Sequence, residues 1–188
     1  MDDLTSLKNL VLAPYILKAT SLIGVSRKVG GNQFRHQFAT LGILFDYKYF
    51  QDSILLKAAL LHDLIEDYHW ESLDEIRCID SDGPAVIDLV LEVTQDMSKT
   101  KPEFLERILK HGSKRAKILK CADRISNLTD LHLDTHSDFK IESYLKQTED
   151  YILPMAEETN PDFVKEITDL IIKRRKQCNC EKLQEDIK

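Results

Sequence analysis

The run Ile54-Leu55-Leu56-Lys57-Ala58-Ala59-Leu60-Leu61-His62-Asp63-Leu64-Ile65-Glu66-Asp67 constrains this chain more than any other stretch. Lys57 is its only charged residue ahead of His62, and its apolar residues fall on every side at helical spacing. The segment therefore reads as a helix inside a core, not on its surface. A bare carboxylate in such surroundings is costly enough that the acids must be protonated, paired with cations or bound to metal. No Arg or Lys follows on that turn. Four-residue spacing stacks His62 over Glu66 and Asp63 over Asp67. One helix then offers two metal ligands and, a turn later, two carboxylates for acid–base work.

The chain has 188 residues, enough for one domain with a substantial core and no disulfide staples. Only 7% of residues are aromatic, against 43% hydrophobic, and Gly and Pro are few, which favours helices over a sandwich or barrel. A net charge of −6 argues against a general nucleic-acid binder but leaves room for a local cationic pocket that takes a phosphorylated small molecule. The four cysteines are too scattered for a disulfide framework and fit a reducing cytoplasm. Cys178 and Cys180 lack a second Cys/His pair nearby and do not read as a zinc site. The start, Met1-Asp2-Asp3, reads as carrying no targeting signal, and the uncharged run from Asn9 to Leu17 is too short to span a membrane.

In chain order, residues 4–23 suggest a packed helix pair kinked at Pro14. In Ser26-Arg27-Lys28-Val29-Gly30-Gly31-Asn32, two cations precede a glycine pair, which suits either a solvated loop or a clamp for phosphate or base. Phe34, Phe38, Leu41 and Phe45 form a helical stripe expected to face the core, with His36 off it at the surface. Residues 68–76 lead outward to a turn at 80–84, where Pro84 suits the first turn of the next helix. Residues 94–102 read as a loop from which Lys99 and Lys101 reach a phosphate. Ile118, Cys121, Ala122, Ile125 and Leu128 then make a core face, with Asp123 and Asn127 one turn apart along its edge. His132 and His136 stand four apart, but no Glu lies between them, and Asp134 and Asp138 mark a wet segment, not a metal site. Helices are expected over 141–157 and 162–173. The run Lys173-Arg174-Arg175-Lys176 reads as the start of a basic, frayed tail over 173–188, which leaves a folded domain of 1–172.

His36, the doublet His62-Asp63 and Asp123, in that order, resemble the ligand set of the HD metal-dependent phosphohydrolases. The wider pattern resembles the hydrolase domain of the Rel/Spo alarmone enzymes, especially their small stand-alone hydrolases. Arg27-Lys28-Val29-Gly30 is similar to that family's Arg-Lys-x-Gly, and residues 61–67 to its His-Asp-x-x-Glu-Asp signature. Val93-Thr94, the stretch Lys120-Cys121-Ala122-Asp123-Arg124-Ile125-Ser126-Asn127 and Ile152-Leu153-Pro154-Met155-Ala156 complete a likeness that runs from about Leu12 to Ala156. The chain departs from it in Gln37, where the family commonly has Pro, and in Gly31-Asn32-Gln33, which replaces a Glu-Pro-Tyr-like connection.

The resemblance implies an all-α, single HD-type helical domain in the cytoplasm, with no nucleic-acid or membrane partner. It implies one Mn2+ held by His36, His62, Asp63 and Asp123. Glu66, the preferred base, and Asp67 would orient and deprotonate water. Arg27, Lys28, Lys99 and Lys101 would hold the phosphates and base of a guanosine nucleotide, and Asn127 its ribose side. The implied reaction is hydrolysis of guanosine 3′,5′-bis(diphosphate) or the pentaphosphate to GDP or GTP and pyrophosphate. With no room for a synthetase domain, degradation is expected to run one way. Two alternatives stay open: an HD phosphohydrolase of another nucleotide, such as an NADPH phosphatase or a nucleotidase, and a non-catalytic nucleotide-binding regulator. Retention of all four ligands with Glu66 and Asp67 speaks against the regulator.

Overall fold

The computed structural model describes residues 2–67 and 73–178, and these build helices joined by turns, with one isolated antiparallel bridge between Ser26 and Asn32. The expectation of an all-α fold is met. Helix contacts group the chain into two compact units, Met1–Arg27 with Gly31–Ser98 and Lys28–Gly30 with Lys99–Lys188.

The first unit holds α1 (Asp3–Asn9), α2 (Ala13–Ala19), a 3-10 turn (Thr20–Gly24), α3 (Gln33–Asp46), α4 (Ser53–Ala59), α5 (Leu64–Asp67), α6 (Asp74–Arg77) and α7 (Gly83–Val93). Pro14 and Pro84 sit in the first turns of α2 and α7, where a missing N–H forfeits no bond. α1 buries none of its side chains, so the packed N-terminal pair foreseen from the sequence is only half realised. α4 lies against α3 and α7, burying Leu55, Leu56, Ala58 and Ala59 with Leu44, Val86, Ile87 and Val90.

Two expectations are corrected here. The helix predicted across 54–65 breaks at 60–63, where Leu60, Leu61 and Leu64 donate to Lys57, Ala58 and Leu61, three residues back. His62 and Asp63 therefore stand on a tight turn between α4 and α5, not on one continuous helix. Lys57 is 5% exposed. It reaches Asp80 Oδ2 at 2.8 Å and Asp82 Oδ2 at 2.7 Å, so its burial is paired. On α3 the buried face is His36, Gln37, Thr40, Leu41 and Leu44, while Phe38 is exposed. His36 and Gln37 on that face meet the Asp63 carboxylate, and the aromatic stripe was the wrong guide. Residues 68–72 lie outside the described residues.

The second unit holds α8 (Lys101–His111), α9 (Lys114–Asp130), a 3-10 turn (Leu131–Leu133), α10 (Asp138–Gln147), a π turn (Thr148–Ile152), α11 (Leu153–Thr159) and α12 (Pro161–Gln177). α8 starts inside the stretch expected to be loop: Thr100 and Glu103 form a reciprocal capping box, with Pro102 in the first turn. α9 is the central element, packed on α11 and α12 and burying every residue from Ile118 to Ser126. α12 continues through residues 173–177. Arg174 donates to the carbonyls of Leu128 and Thr129, and Arg175 forks onto Glu142 and Glu149. Partners remote in sequence cancel the repulsion that made these cations read as a frayed tail. Residues 179–188 lie outside the described residues, Cys180 among them. Among the described residues no helix is long and apolar enough to cross a membrane.

Candidate metal centre

α3 carries His36 inward, 2% exposed, and the turn after α4 carries His62, 1% exposed. Their rings meet edge-on with centroids 5.2 Å apart. Each presents a ligand nitrogen within 4.8 Å of the other. Asp63 Oδ2 lies 3.3 Å from His62 Nε2 and 3.6 Å from His36 Nε2. The other nitrogen of His62, Nδ1, is 2.9 Å from the carbonyl oxygen of Ala59. A carbonyl only accepts, so Nδ1 carries a proton, which in the neutral ring leaves the Nε2 lone pair for a ligand.

This donor set fits a divalent cation. Ligand atoms bound at about 2.0–2.2 Å around one ion stand roughly 3–3.6 Å apart, and the two spacings to Asp63 Oδ2 match. Mixed imidazole and carboxylate donors without cysteine suit a borderline ion in an open site, not a closed structural zinc. Gln37 Oε1 is buried and accepts no hydrogen bond among the described residues. The protein alone leaves that oxygen's polar demand unmet, as at a site built for a further polar occupant.

Three carboxylates follow each other along the turn and α5, and each is held by an uncharged N–H donor. Gln37 Nε2 donates to Asp63 Oδ2 at 3.1 Å. The backbone N–H of Gln95 donates to Glu66 Oε1, and Gln33 Nε2 to Asp67 Oδ2. Although Asp67 as a residue is exposed, its carboxyl group is crowded. That desolvation, then the Asp63 charge, raises its pKa above the ordinary carboxylate range, against the hydrogen bond from Gln33. Such a group is suited to trading protons with water.

In the second unit Asp123 is 7% exposed on α9. Lys120 Nζ holds its Oδ2 and Asn127 Nδ2 its Oδ1, each at 2.6 Å. Asn127 also lines a cavity of about 370 Å³, together with Val29, Lys101, His136, Lys140 and Tyr144. This volume suits a small ligand. The Arg124 guanidinium stacks 4.0 Å from the Tyr144 ring centre, and the Lys101 ammonium lies 5.0 Å from that of Phe104. Lys28 Nζ meets His136 Nε2 at 3.0 Å, and His136 Nδ1 meets Asp134 at 2.6 Å. His132 instead turns its Nδ1 to the Thr129 carbonyl, so these two histidines do not share a site.

Of the residues singled out from the sequence, His36, His62 and Asp63 come together in the first unit, with Glu66 and Asp67 on the same short element. Asp123, Asn127 and Lys101 belong to the second unit, Asn127 and Lys101 on one cavity. Lys28 reaches His136 in that unit, while Lys99 is exposed and Arg27 half-buried. Sequence reasoning missed Gln33, Gln37, Lys120, His136 and Tyr144. The signal for the glutamines was their four-residue spacing on either side of His36, which puts both on one helical face.

No family model matches the chain. Relatives do. The guanosine-3′,5′-bis(diphosphate) 3′-pyrophosphohydrolase MESH1 of Drosophila melanogaster is 40% identical over 87 residues, covering 45% of this chain and 47% of the relative. The human MESH1 is 34% identical over 125 residues, covering 62% of this chain and 67% of the relative. The chain thus spans about half the length of the fly relative and two thirds of the human one. Among solved structures, a metazoan ortholog of SpoT that hydrolyzes ppGpp and plays a role in starvation responses superposes with a TM-score of 0.75 at 27% identity, covering 87% of this chain and 94% of that one. On this evidence the chain belongs to the family of the MESH1 guanosine-3′,5′-bis(diphosphate) 3′-pyrophosphohydrolases.

Proposed function

We propose that this protein is a cytoplasmic, Mn2+-dependent hydrolase that removes the 3′-diphosphate from guanosine 3′,5′-bis(diphosphate) or the pentaphosphate, giving GDP or GTP and pyrophosphate. The observation that carries this reading is the convergence of two buried imidazoles on Asp63 Oδ2 beside Glu66 and Asp67. The names of the relatives supply the substrate class.

His36, His62, Asp63 and, from α9, Asp123 are the proposed ligands. When bound, the ion lowers the pKa of water and withdraws charge from the phosphoryl group under attack. Glu66, held by the Gln95 N–H, takes the proton of the attacking water, a role worth roughly two to four orders of magnitude in rate. Asp67, raised in pKa, orients that water and passes protons on. Asn127 and the Lys120 ammonium hold the Asp123 carboxylate at a set angle. The cavity of the second unit takes base and ribose: Tyr144 offers an aromatic face backed by Arg124, and Lys101 and Lys140 offer charge to phosphate. Arg27, Lys28 and Lys99 are the further proposed phosphate contacts, Lys28 after release from His136.

The test is metal-stripped protein reconstituted with Mn2+ and offered a panel of phosphorylated nucleotides, beside a His62→Ala variant. Release of pyrophosphate from the tetraphosphate by the parent alone is the expected result. Turnover confined to other nucleotides would refute the substrate, and less than one ion bound per chain would refute the metal site.

A further inference from the structure

We propose that Gln37 and Gln33 are positioning residues of the hydrolytic site, Gln37 acting through Asp63 and Gln33 through Asp67. The proposal rests on the metal-hydrolase reading above.

The geometry is a match of two spacings. Gln33 and Gln37 are four apart on α3, and Asp63 and Asp67 are four apart across the turn and α5. Gln37 Nε2 meets Asp63 Oδ2 at 3.1 Å, and Gln33 Nε2 meets Asp67 Oδ2. Carboxylates accept and do not donate, so the amide NH2 of each glutamine must face its acid. Gln37 is 0% exposed. An apolar residue of similar volume would fill that space without a desolvation cost, so its polarity needs a reason beyond packing.

The reason lies in charge. Among the described residues none of Asp63, Glu66 and Asp67 is paired with Lys or Arg; two side-chain amides and one backbone N–H donate to them. An ammonium, such as Lys120 gives Asp123, orients a carboxylate and offsets part of its charge. An amide orients without neutralising. α3 thereby places His36 and, one residue on, the group that aims Asp63 at the same point, while Gln33 aims the acid–base carboxylate one turn further along. Metal sites depend on such outer partners for ligand orientation.

Gln37→Met, Gln37→Asn and Gln33→Met test this. Methionine keeps length and helix propensity, and asparagine keeps the amide but loses its reach. Metal-stripped proteins are titrated with Mn2+, following free Mn2+ by electron paramagnetic resonance, and kcat and KM are measured at saturating Mn2+. Thermal unfolding of each metal-free variant establishes that it folds. Both Gln37 variants should weaken Mn2+ binding by about 10- to 100-fold, the range typical of lost outer-shell partners. Gln33→Met should leave Mn2+ affinity within about twofold and lower kcat about tenfold with KM unchanged, since it disturbs proton handling and not ligation. Gln37 variants that bind Mn2+ like the parent, or a Gln33 variant with parental kcat, overturn the proposal while the metal reading stands. A parent that binds no Mn2+ overturns that reading and the proposal with it. If Gln37→Met fails to fold, the Asn variant and the half-buried Gln33 position carry the same test.

Discussion

His62 donates its Nδ1–H to the carbonyl oxygen of Ala59, three residues back and 2.9 Å away. The tightened turn at 60–63 allows this, because it folds the ring back over the end of α4. One hydrogen bond thus sets both the tautomer and the direction of Nε2 toward Asp63. His62→Ala removes a proposed ligand outright and should weaken Mn2+ binding by more than about a hundredfold, beyond the range of outer-shell changes. Equilibrium dialysis against Mn2+, with circular dichroism showing retained helix, checks this.

Lys57 anchors α4 from its last turn. Its ammonium sits between Asp80 and Asp82, while Tyr15 and Ser53 hydroxyls donate to the same two acids. For Asp82, the hydrogen bonds from Lys57 and then Ser53 lower its pKa; for Asp80, burial pushes the other way but is outweighed by Lys57 and Tyr15. Burial pulls the Lys57 pKa down and is outweighed by its two acids, leaving it raised. Depressed carboxylate pKa values give stability that is full above the ordinary value of 3.8 and is lost as pH falls through the lower folded values. The raised lysine adds stability that disappears as pH climbs past its folded value. Lys57→Met should therefore cost about 2–3 kcal/mol at neutral pH, less than a fully buried pair because both acids keep some solvent. The parent, and not the variant, should lose that increment on acidification below about pH 4. Urea denaturation across pH measures both.

How far the sequence reached depended on whether a signal was local. His62 and Asp63 in the 54–67 run announced a charge problem, and His36 and His62 do converge with Asp63. The turn at 80–84, the start of α7 at Gly83-Pro84 and the break at Asn160-Pro161 were equally plain, because Gly, Pro and Asn act where they stand. The break at 60–63 was not, because Leu-Leu-His-Asp carries no breaker; there the turn is imposed by packing and by the His62 bond to Ala59. The buried face of α3 was hidden for a related reason. Gln33 and Gln37 read as surface residues until Asp67 and Asp63 stand opposite them, and those partners are some thirty residues away in sequence.

Arg175 shows the same limit and gives a sharp test. Its guanidinium forks onto Glu149 at 2.6 and 2.7 Å and onto Glu142 at 2.9 and 3.2 Å, tying α12 to α10 and the π turn. These side chains are largely shielded from water. Arg175→Ala should destabilise by about 2–3 kcal/mol, somewhat below the value for fully buried pairs. Arg175→Lys should recover less than about half of that, because an ammonium cannot fork onto two carboxylates. The shift in urea midpoint at unchanged slope decides the matter.

Asn127 is assigned a ribose contact by resemblance, yet its Nδ2 donates to Asp123 Oδ1 at 2.6 Å while the residue also lines the cavity of the second unit. The two roles separate experimentally. With Lys120 on Oδ2 and Asn127 on Oδ1, both oxygens of Asp123 are held, and removing one donor frees the carboxylate to turn. If Asp123 is a ligand, Asn127→Ala should weaken Mn2+ roughly tenfold in the absence of nucleotide. A contact to ribose alone would leave Mn2+ affinity at the parental value and raise only KM. We expect both parameters to move, Mn2+ affinity in the metal titration and KM at saturating Mn2+, because one amide at the edge of α9 serves the acid on one side and the cavity on the other.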